Sequence, residues 1–441
     1  MSLFIRSATV LLAVCLFTAC TNSNSSTTNK SGVTRLNTEA ILADKTTSDK
    51  EKAEKLALAG EQLLSPNGFM YSETLFEQAL ELDSTNLRAG LYKNIISTAV
   101  LMKGALGRVK TLASRDPEAT TLYTKALAQL PDSNLRGYLL DGSDDIKTEK
   151  DVQSLADKVV ETQGQLREFL KKNKDMEMVL NVPDWVAHKL YAEYLKNCNT
   201  YVNEKGVYEM FGCDASALQV KINRADVETM QQAAAGGQIY AIGGTAYDLT
   251  GGFDFYLKHK GTKVTKKAAS KELSKVEEFG KLRRADGFKL IESLGIDGVA
   301  GVRWATEMQA QICPAGNVRK DSRRGYAFRD GLCVPTYTKS GKAVAEILKL
   351  VESGLMGQVV ALDLGNDSDG NPVSTRAKPN AFLDNPVADI KTLRPVFNKC
   401  DKLTSISDDS AGGVAVDHDA NEIISSFSKC SIQEQYPNWT N

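Results

Sequence analysis

The chain has 441 residues, with 54 basic and 55 acidic side chains and a net formal charge of −1. That balance excludes the strong basic excess by which nucleic-acid-binding domains attract phosphate backbones, and a 42% hydrophobic content is enough to fill a sizeable core. After residue 20 no apolar run reaches the ~20 residues needed to cross a bilayer; the nearest, 95–106, is broken by Lys103.

Residues 1–19 carry one charge, Arg6, then an apolar stretch at 9–16 (TVLLAVCL) and small residues before Cys20. An apolar core this short reads as a signal peptide. Phe17-Thr18-Ala19-Cys20 resembles the lipobox of bacterial lipoproteins, with Phe17 in place of the usual leucine. The resemblance implies that signal peptidase II cuts before Cys20, whose thiol carries a diacylglyceryl group and whose freed amine is usually acylated. One acyl chain binds a membrane marginally, whereas two or more hold firmly. An ordinary cleaved signal, with Cys20 incidental, is the plainer alternative. Residues 21–32 (TNSNSSTTNKSG) are polar and low in complexity, as expected of a flexible tether over 20–47 with an r.m.s. span on the order of 30 Å. Thr21, where an inner-membrane signal would have Asp, implies by resemblance to enteric sorting rules an outer-membrane location facing the periplasm.

Residues 48–135 hold the clearest periodicity. It predicts helices over 52–64, 71–82, 86–109 and 118–130. Gly60, Ser72, Phe76 and Ala79 recur 47 residues later as Gly107, Ala119, Tyr123 and Ala126. Within each copy the spacing resembles the tetratricopeptide repeat, where small residues let paired helices approach and an aromatic fills the gap. Pro131 matches the proline ending that repeat; Ser84 does not. Leu56 and Leu63, and then Lys103 and Lys110, stand where the family has aromatics, and the period exceeds the usual ~34 residues. A plain helical bundle is the alternative.

A helical body is expected over 146–360. The first helix, 149–172, has Val152, Leu155, Val159, Val160, Leu166 and Leu170 on or near one face. Another is predicted over 183–195. Residues 225–258 read as a helix with a closely packed stripe of Gly236, Gly237, Gly243, Gly244, Gly251 and Gly252 beside Tyr240 and Tyr247; read as strands, the segment would be broken by glycine and poorly alternating. The basic stretch 260–272 (KGTKVTKKAASKE) reads as a solvated linker, with a lipid-headgroup patch as the alternative. Helices are expected at 275–294, 299–312 and 342–352, a loop at 363–379, and short helices at 386–397 and 422–428 in an irregular C-terminal region, 361–441.

Six cysteines remain beyond Cys15 and Cys20, and an even number in an exported chain suggests disulfides. Their order favours local pairs, Cys198 with Cys213, Cys313 with Cys333 and Cys400 with Cys430, among 15 connectivities. Each closed loop is worth about 3 kcal/mol. No C-x2-C occurs and His188, His259 and His418 are scattered, which disfavours zinc.

No convincing catalytic motif is found. Counting back from Gly370 as an EF-hand glycine gives Asp369, Asp367 and Gly365, so one ligand is missing, and Arg376 stands where Glu is required. Ser426-x-x-Lys429 lacks the companion boxes of penicillin-binding enzymes. Trp185 and His188 share a predicted helix face, and Tyr240, Tyr247 and Tyr256 are the candidates for a ligand groove, with plain core contact as the competing reading. The expected fold is all-α, an α-solenoid-like array of helical hairpins with disulfide-closed loops. The expected role is an envelope scaffold or assembly factor binding a protein partner. The alternative is a small-molecule binder beside a periplasmic transporter. No enzyme activity, metal or cofactor beyond the Cys20 lipid is expected.

Overall fold

Side-chain caps set where the first long helices begin. The computed structural model describes the chain except for residues 1–37, 65–67, 117–119, 122–133, 182–198, 203–207, 212–218, 261–265, 313–326, 329–331, 334–348, 350, 368, 394, 399, 401, 417–419 and 431–441. After the short α1 (Thr38–Ala43), α2 (Asp49–Gln62) starts at Ser48, which exchanges hydrogen bonds with Glu51 in a capping box. Helix α3 (Phe69–Leu82) follows, and α4 (Leu87–Leu101) begins where Asn86 accepts the Ala89 N–H. These three helices bury Leu56, Leu75, Phe76, Ala79, Tyr92 and Ile96 in one cluster. A Cβ on Gly60 would fall 2.6 Å from the Phe76 ring, so glycine is what lets α2 and α3 approach this closely. Phe76 in turn stacks on Tyr92 of α4, centroids 5.5 Å apart.

The helix expected over 86–109 is shorter. It ends at Leu101 because Gly104 turns the chain at φ 65°, pressed against Gly142, and donates its N–H to the Tyr138 carbonyl. Two short helices, α5 (Ala105–Arg108) and α6 (Lys110–Ser114), follow, then α7 (Asn134–Leu140). Gly107 thus stands in a four-residue helix against the backbone of Leu140 and Gly142. Its companions Ala119, Tyr123 and Ala126 lie outside the described residues.

Helix α8 (Glu149–Lys172) spans the residues expected, opened by a Thr148–Asp151 capping box. It is central: α4 lies on one side and α9 (Arg224–Thr245) on the other. Being covered twice shifts its buried set to Gln153, Ala156, Val159, Val160, Leu166 and Leu170, leaving Val152 and Leu155 half-exposed. The buried Gln153 donates its side-chain amide to the Tyr247 carbonyl, and Gln238 of α9 donates to that of Val160. Gly90 of α4 leaves room for Phe169 of α8.

The helix expected over 225–258 is broken after Thr245. The chain turns at Gly251 (φ 80°), and α10 (Gly252–His259) follows. Gly236, Gly243 and Gly244 face open space; Val227, Ala234, Ala235, Ala241 and Ile242 make the buried side of α9. Close approach comes instead from α12 (Ala285–Ile312), whose Gly287 lies against Ile242 and Gly298 against Gln232. The two helices expected at 275–294 and 299–312 are this single one. The linker expected at 260–272 includes a helix, α11 (Lys266–Leu273).

The described residues are mainly helical rather than all-α. Strand β1 (Met178–Asn181) pairs antiparallel with β4 (Gln219–Ile222), and β2 (Asn199–Val202) pairs with β3 (Tyr208–Phe211) between them. Part of the segment between Cys313 and Cys333, expected as a disulfide-closed loop, is the ribbon of β5 (Ala327–Phe328) and β6 (Leu332–Cys333). The loop expected at 363–379 is a hairpin of β7 (Val360–Asn366) and β8 (Pro372–Ala377). Its turn is closed by Asp367, which accepts the N–H groups of Asp369 and Asn371. After α13 (Asn380–Asp384), a 3-10 turn (Ile390–Leu393) and β9 (Pro395–Phe397) replace the helix expected at 386–397. The preceding backbone is held open there, since the Val387 and Ala388 carbonyls accept from the Tyr247 hydroxyl and the Leu282 N–H. Strand β10 (Leu403–Ile406) pairs with β9, and α14 (Ala420–Phe427) packs on β10. The Cys400–Cys430 disulfide joins the β9–β10 connection to the residues that follow α14. Cys198, Cys213 and Cys313, and the helix expected at 183–195, lie outside the described residues.

The close contact of Gly60 with Phe76 predicts a coupled pair. Gly60→Ala should destabilise by about 1–3 kcal/mol through overpacking, and less in a Phe76→Leu background. A urea-unfolding double-mutant cycle measures this; strictly additive effects would contradict the contact.

Candidate functional site

Three places gather polar or open surface, and their chemistry differs. The first surrounds Glu61, whose side chain has no solvent exposure. Its Oε1 accepts from the Tyr92 hydroxyl (2.6 Å) and the Asn181 backbone N–H (2.7 Å). Its Oε2 accepts from Arg88 Nη1 (2.8 Å) and Asn181 Nδ2 (2.8 Å). Arg88 also donates to Glu54 and to the Val179 carbonyl. Burial, then the Glu61 charge and hydrogen bond, push the Tyr92 phenol far above its ordinary value, so it remains a donor. With four internal donors on one carboxylate, this cluster joins α2, α4 and β1, and its chemistry is structural.

A second charged joint lies across α8. Asp157 is bidentate to Arg283 (2.6 and 2.8 Å) and also accepts from Arg284 (3.1 Å). Burial raises the Asp157 carboxyl, but the two guanidinium groups outweigh it and hold it below the usual range.

The third place is the surface of α10 and α11. Lys258, Ala268, Lys271, Glu272, Lys275 and Val276 line an open concavity of about 610 Å³. Glu272 pairs with Lys258 and with His259 Nε2 (2.6 Å), and these partners hold its carboxyl below the usual range. Nearby, Asp116 is buried and paired with Lys260. Burial and the Asp116 hydrogen bond raise the Tyr256 phenol. A smaller, apolar concavity of about 390 Å³, lined by Lys402, Leu403, Ile423, Ile424 and Phe427, lies between β10 and α14.

The tyrosines singled out in the sequence occupy three settings. Tyr240 stands on the outward face of α9, 38% exposed among open glycines. Tyr247 packs edge-on to Phe288 and donates to the Val387 carbonyl; burial, with the Asp389 charge, pushes its phenol up to about 12. Tyr256 stacks on Phe253 of α10, with Lys260 over its ring. None of the three lines either concavity. Trp185 and His188 lie outside the described residues. Among the described residues, no group of three His, Cys, Asp or Glu side chains is placed to hold a metal ion.

The basic stretch 260–272, expected as a solvated linker with a lipid-headgroup patch as the alternative, includes the helix α11. Its signal was helical spacing, Lys267, Lys271 and Lys275 recurring every four residues. Compared with protein-family models, curated proteins and solved structures, the chain matches none.

Two measurements follow from these joints. Glu61→Ala should destabilise by about 3–5 kcal/mol, since it strands Arg88 in a buried setting. Glu54→Ala, at the exposed end of the same arginine, should change stability by less than about 1 kcal/mol. Equal urea midpoints for the two variants would remove Glu61 from its structural role. Asp157 ionises more readily folded than unfolded, so its contribution is present above about pH 4 and is lost as pH falls through the lower folded value. The gap in urea midpoint between wild type and Asp157→Asn should therefore narrow from pH 6 to pH 3; an unchanged gap would contradict the ion pair.

Proposed function

We propose that the chain is a lipid-anchored protein of a bacterial envelope, whose helical body docks a protein partner. The observation that carries this reading is the N-terminal series of Arg6, the apolar stretch 9–16, Phe17-Thr18-Ala19-Cys20 and the polar residues 21–32. Lipid on Cys20 would hold the body at the membrane, with the outer membrane favoured by Thr21. Among the described residues no helix is long and apolar enough to cross a membrane, so Cys20 is the attachment that this reading assigns.

The partner role is supported by what the described helices do with their polar groups and their surfaces. The buried carboxylate of Glu61 is saturated by internal partners, which leaves it no part in chemistry on a substrate. The concavities are open, as suits another surface better than a small enclosed ligand. Tyr71 is 71% exposed and Met70 47% exposed on α3; exposed aromatic and methionine side chains are the residue types enriched in protein interfaces. The tetratricopeptide-like reading of the first helical pairs belongs to this proposal, supported by the Gly60 to Phe76 approach in the first copy. Such pairs, stacked, present an extended surface for a protein segment.

Metabolic labelling with a fatty acid in a Gram-negative host tests the anchor. Wild type should be labelled and sediment with membranes; Cys20→Ser should lose both properties. Retained label and sedimentation in that variant would refute the lipoprotein reading. A photocrosslinker at Tyr71 tests the second half. A single stoichiometric envelope protein should be captured, whereas a metabolite-induced thermal shift without any captured protein would favour a small-molecule binder.

A further inference from the structure

Helix α10 has the sequence GFDFYLKH, and none of its residues is buried although Phe253, Phe255, Tyr256 and Leu257 make up half of it. It is held by its flanks: the glycine turn at Gly251 against Val276, Asp254 paired with Arg115, and Lys260 paired with Asp116. These side chains are partly buried rather than enclosed in a core; Phe253 and Tyr256 stack on each other, with Arg115 and Lys260 over their rings. Directly beside them lies the densest positive charge in the chain. Residues 258–275 contain seven lysines against Glu272 alone, in a protein whose net charge is −1. The fold gathers Lys258, Lys271 and Lys275 around one open concavity. Its acid, Glu272, is already engaged by Lys258 and His259. Among the described residues, Lys271 and Lys275 have no carboxylate within ion-pairing distance.

Aromatic side chains at half depth beside unpaired lysines are the composition of a contact with a lipid–water interface. Phenyl rings enter at headgroup level while ammonium groups meet lipid phosphates. We propose that α10 and α11 form a second membrane contact, which docks the body on an anionic phospholipid surface through Lys258, Lys271, Lys275 and the aromatic side chains of α10. The concavity is wide and its charges lie around an open rim. That suits an array of phosphates in a bilayer better than one free phosphate, which would need buried donors converging on it. This inference rests on the anchored reading for the identity of the surface. A tether from Cys20 would keep the body within reach of the bilayer, so a weak surface affinity would suffice.

The test uses the full chain carrying Cys20→Ser, which has no site for lipidation at that position. Sedimentation is compared with vesicles of phosphatidylcholine alone and with vesicles that also contain phosphatidylglycerol. The readout is the difference between the two, so that any apolar contribution of residues 1–19 cancels. Binding should be stronger to the anionic vesicles and should fall steeply at about 0.5 M salt. Lys271→Gln with Lys275→Gln should lower the anionic increment by about fivefold for each lysine. Lys45→Gln with Lys50→Gln, the same charge change elsewhere, should leave it unaltered. Equal binding to both vesicles, an equal loss in the control pair, or release of the chain by millimolar inorganic phosphate at constant ionic strength would each overturn the proposal. Because no Cys20 lipid takes part, a failure here is distinct from a failure of the labelling experiment.

Discussion

A carboxylate without access to water must find its hydrogen-bond partners inside the protein, and Glu61 finds them on elements far apart in sequence. Arg88 and Tyr92 reach it from α4, and Asn181 supplies both a backbone and a side-chain donor from the end of β1. The neighbouring residue, Gly60, is where α2 lets Phe76 in. One turn of helix therefore carries both a close apolar contact and a fully buried carboxylate. Through β1 and its partner β4, the same turn is linked to the start of α9. The orientation of the first three long helices relative to the rest is thus set by donors that have nowhere else to go.

Much of the helical content was readable. The period-3.6 pattern of 149–172, opened by Thr148 with Asp151 three residues on, yields a helix with those bounds. The apolar face could not be placed as well, because α8 is covered on two sides and buries Gln153 where a one-sided helix would keep it in water. The β7–β8 hairpin was legible in principle: Asp367, Asp369, Gly370 and Asn371 are turn residues, and alternating segments flank them. The same acidic residues that resemble calcium ligands serve the backbone, Asp367 accepting the N–H groups of Asp369 and Asn371. The glycines of 236–244 show the opposite failure. Their spacing suggested tight contact, but the close approaches belong to Gly287 and Gly298 of the facing helix, which periodicity within α9 could not reveal. Of the candidate site, the lysines were visible as composition; their convergence on one concavity depends on α10 and α11 folding side by side.

Charge is distributed unevenly between interior and surface. The buried or half-buried acids Glu61, Asp116 and Asp157 each face a cation across an element boundary, so they act as joints between helices. The lysines of 258–275 are instead largely in excess of their acids. In a chain that is near neutral overall, these balanced pairs serve cohesion, while Lys258, Lys271 and Lys275 gather around one open concavity.

Asn181 and Gln219 are paired directly across the β1–β4 ribbon. Residues 182–218 therefore leave and re-enter the helical body at points separated by about one strand spacing, ~5 Å. A segment with such closely spaced ends is, in topological terms, an insertion. Its length places no demand on the helices around it, and a tight turn could bridge the gap. Trp185, His188, Cys198 and Cys213 all belong to it. The Glu61 joint is anchored on Asn181, the last residue before that departure.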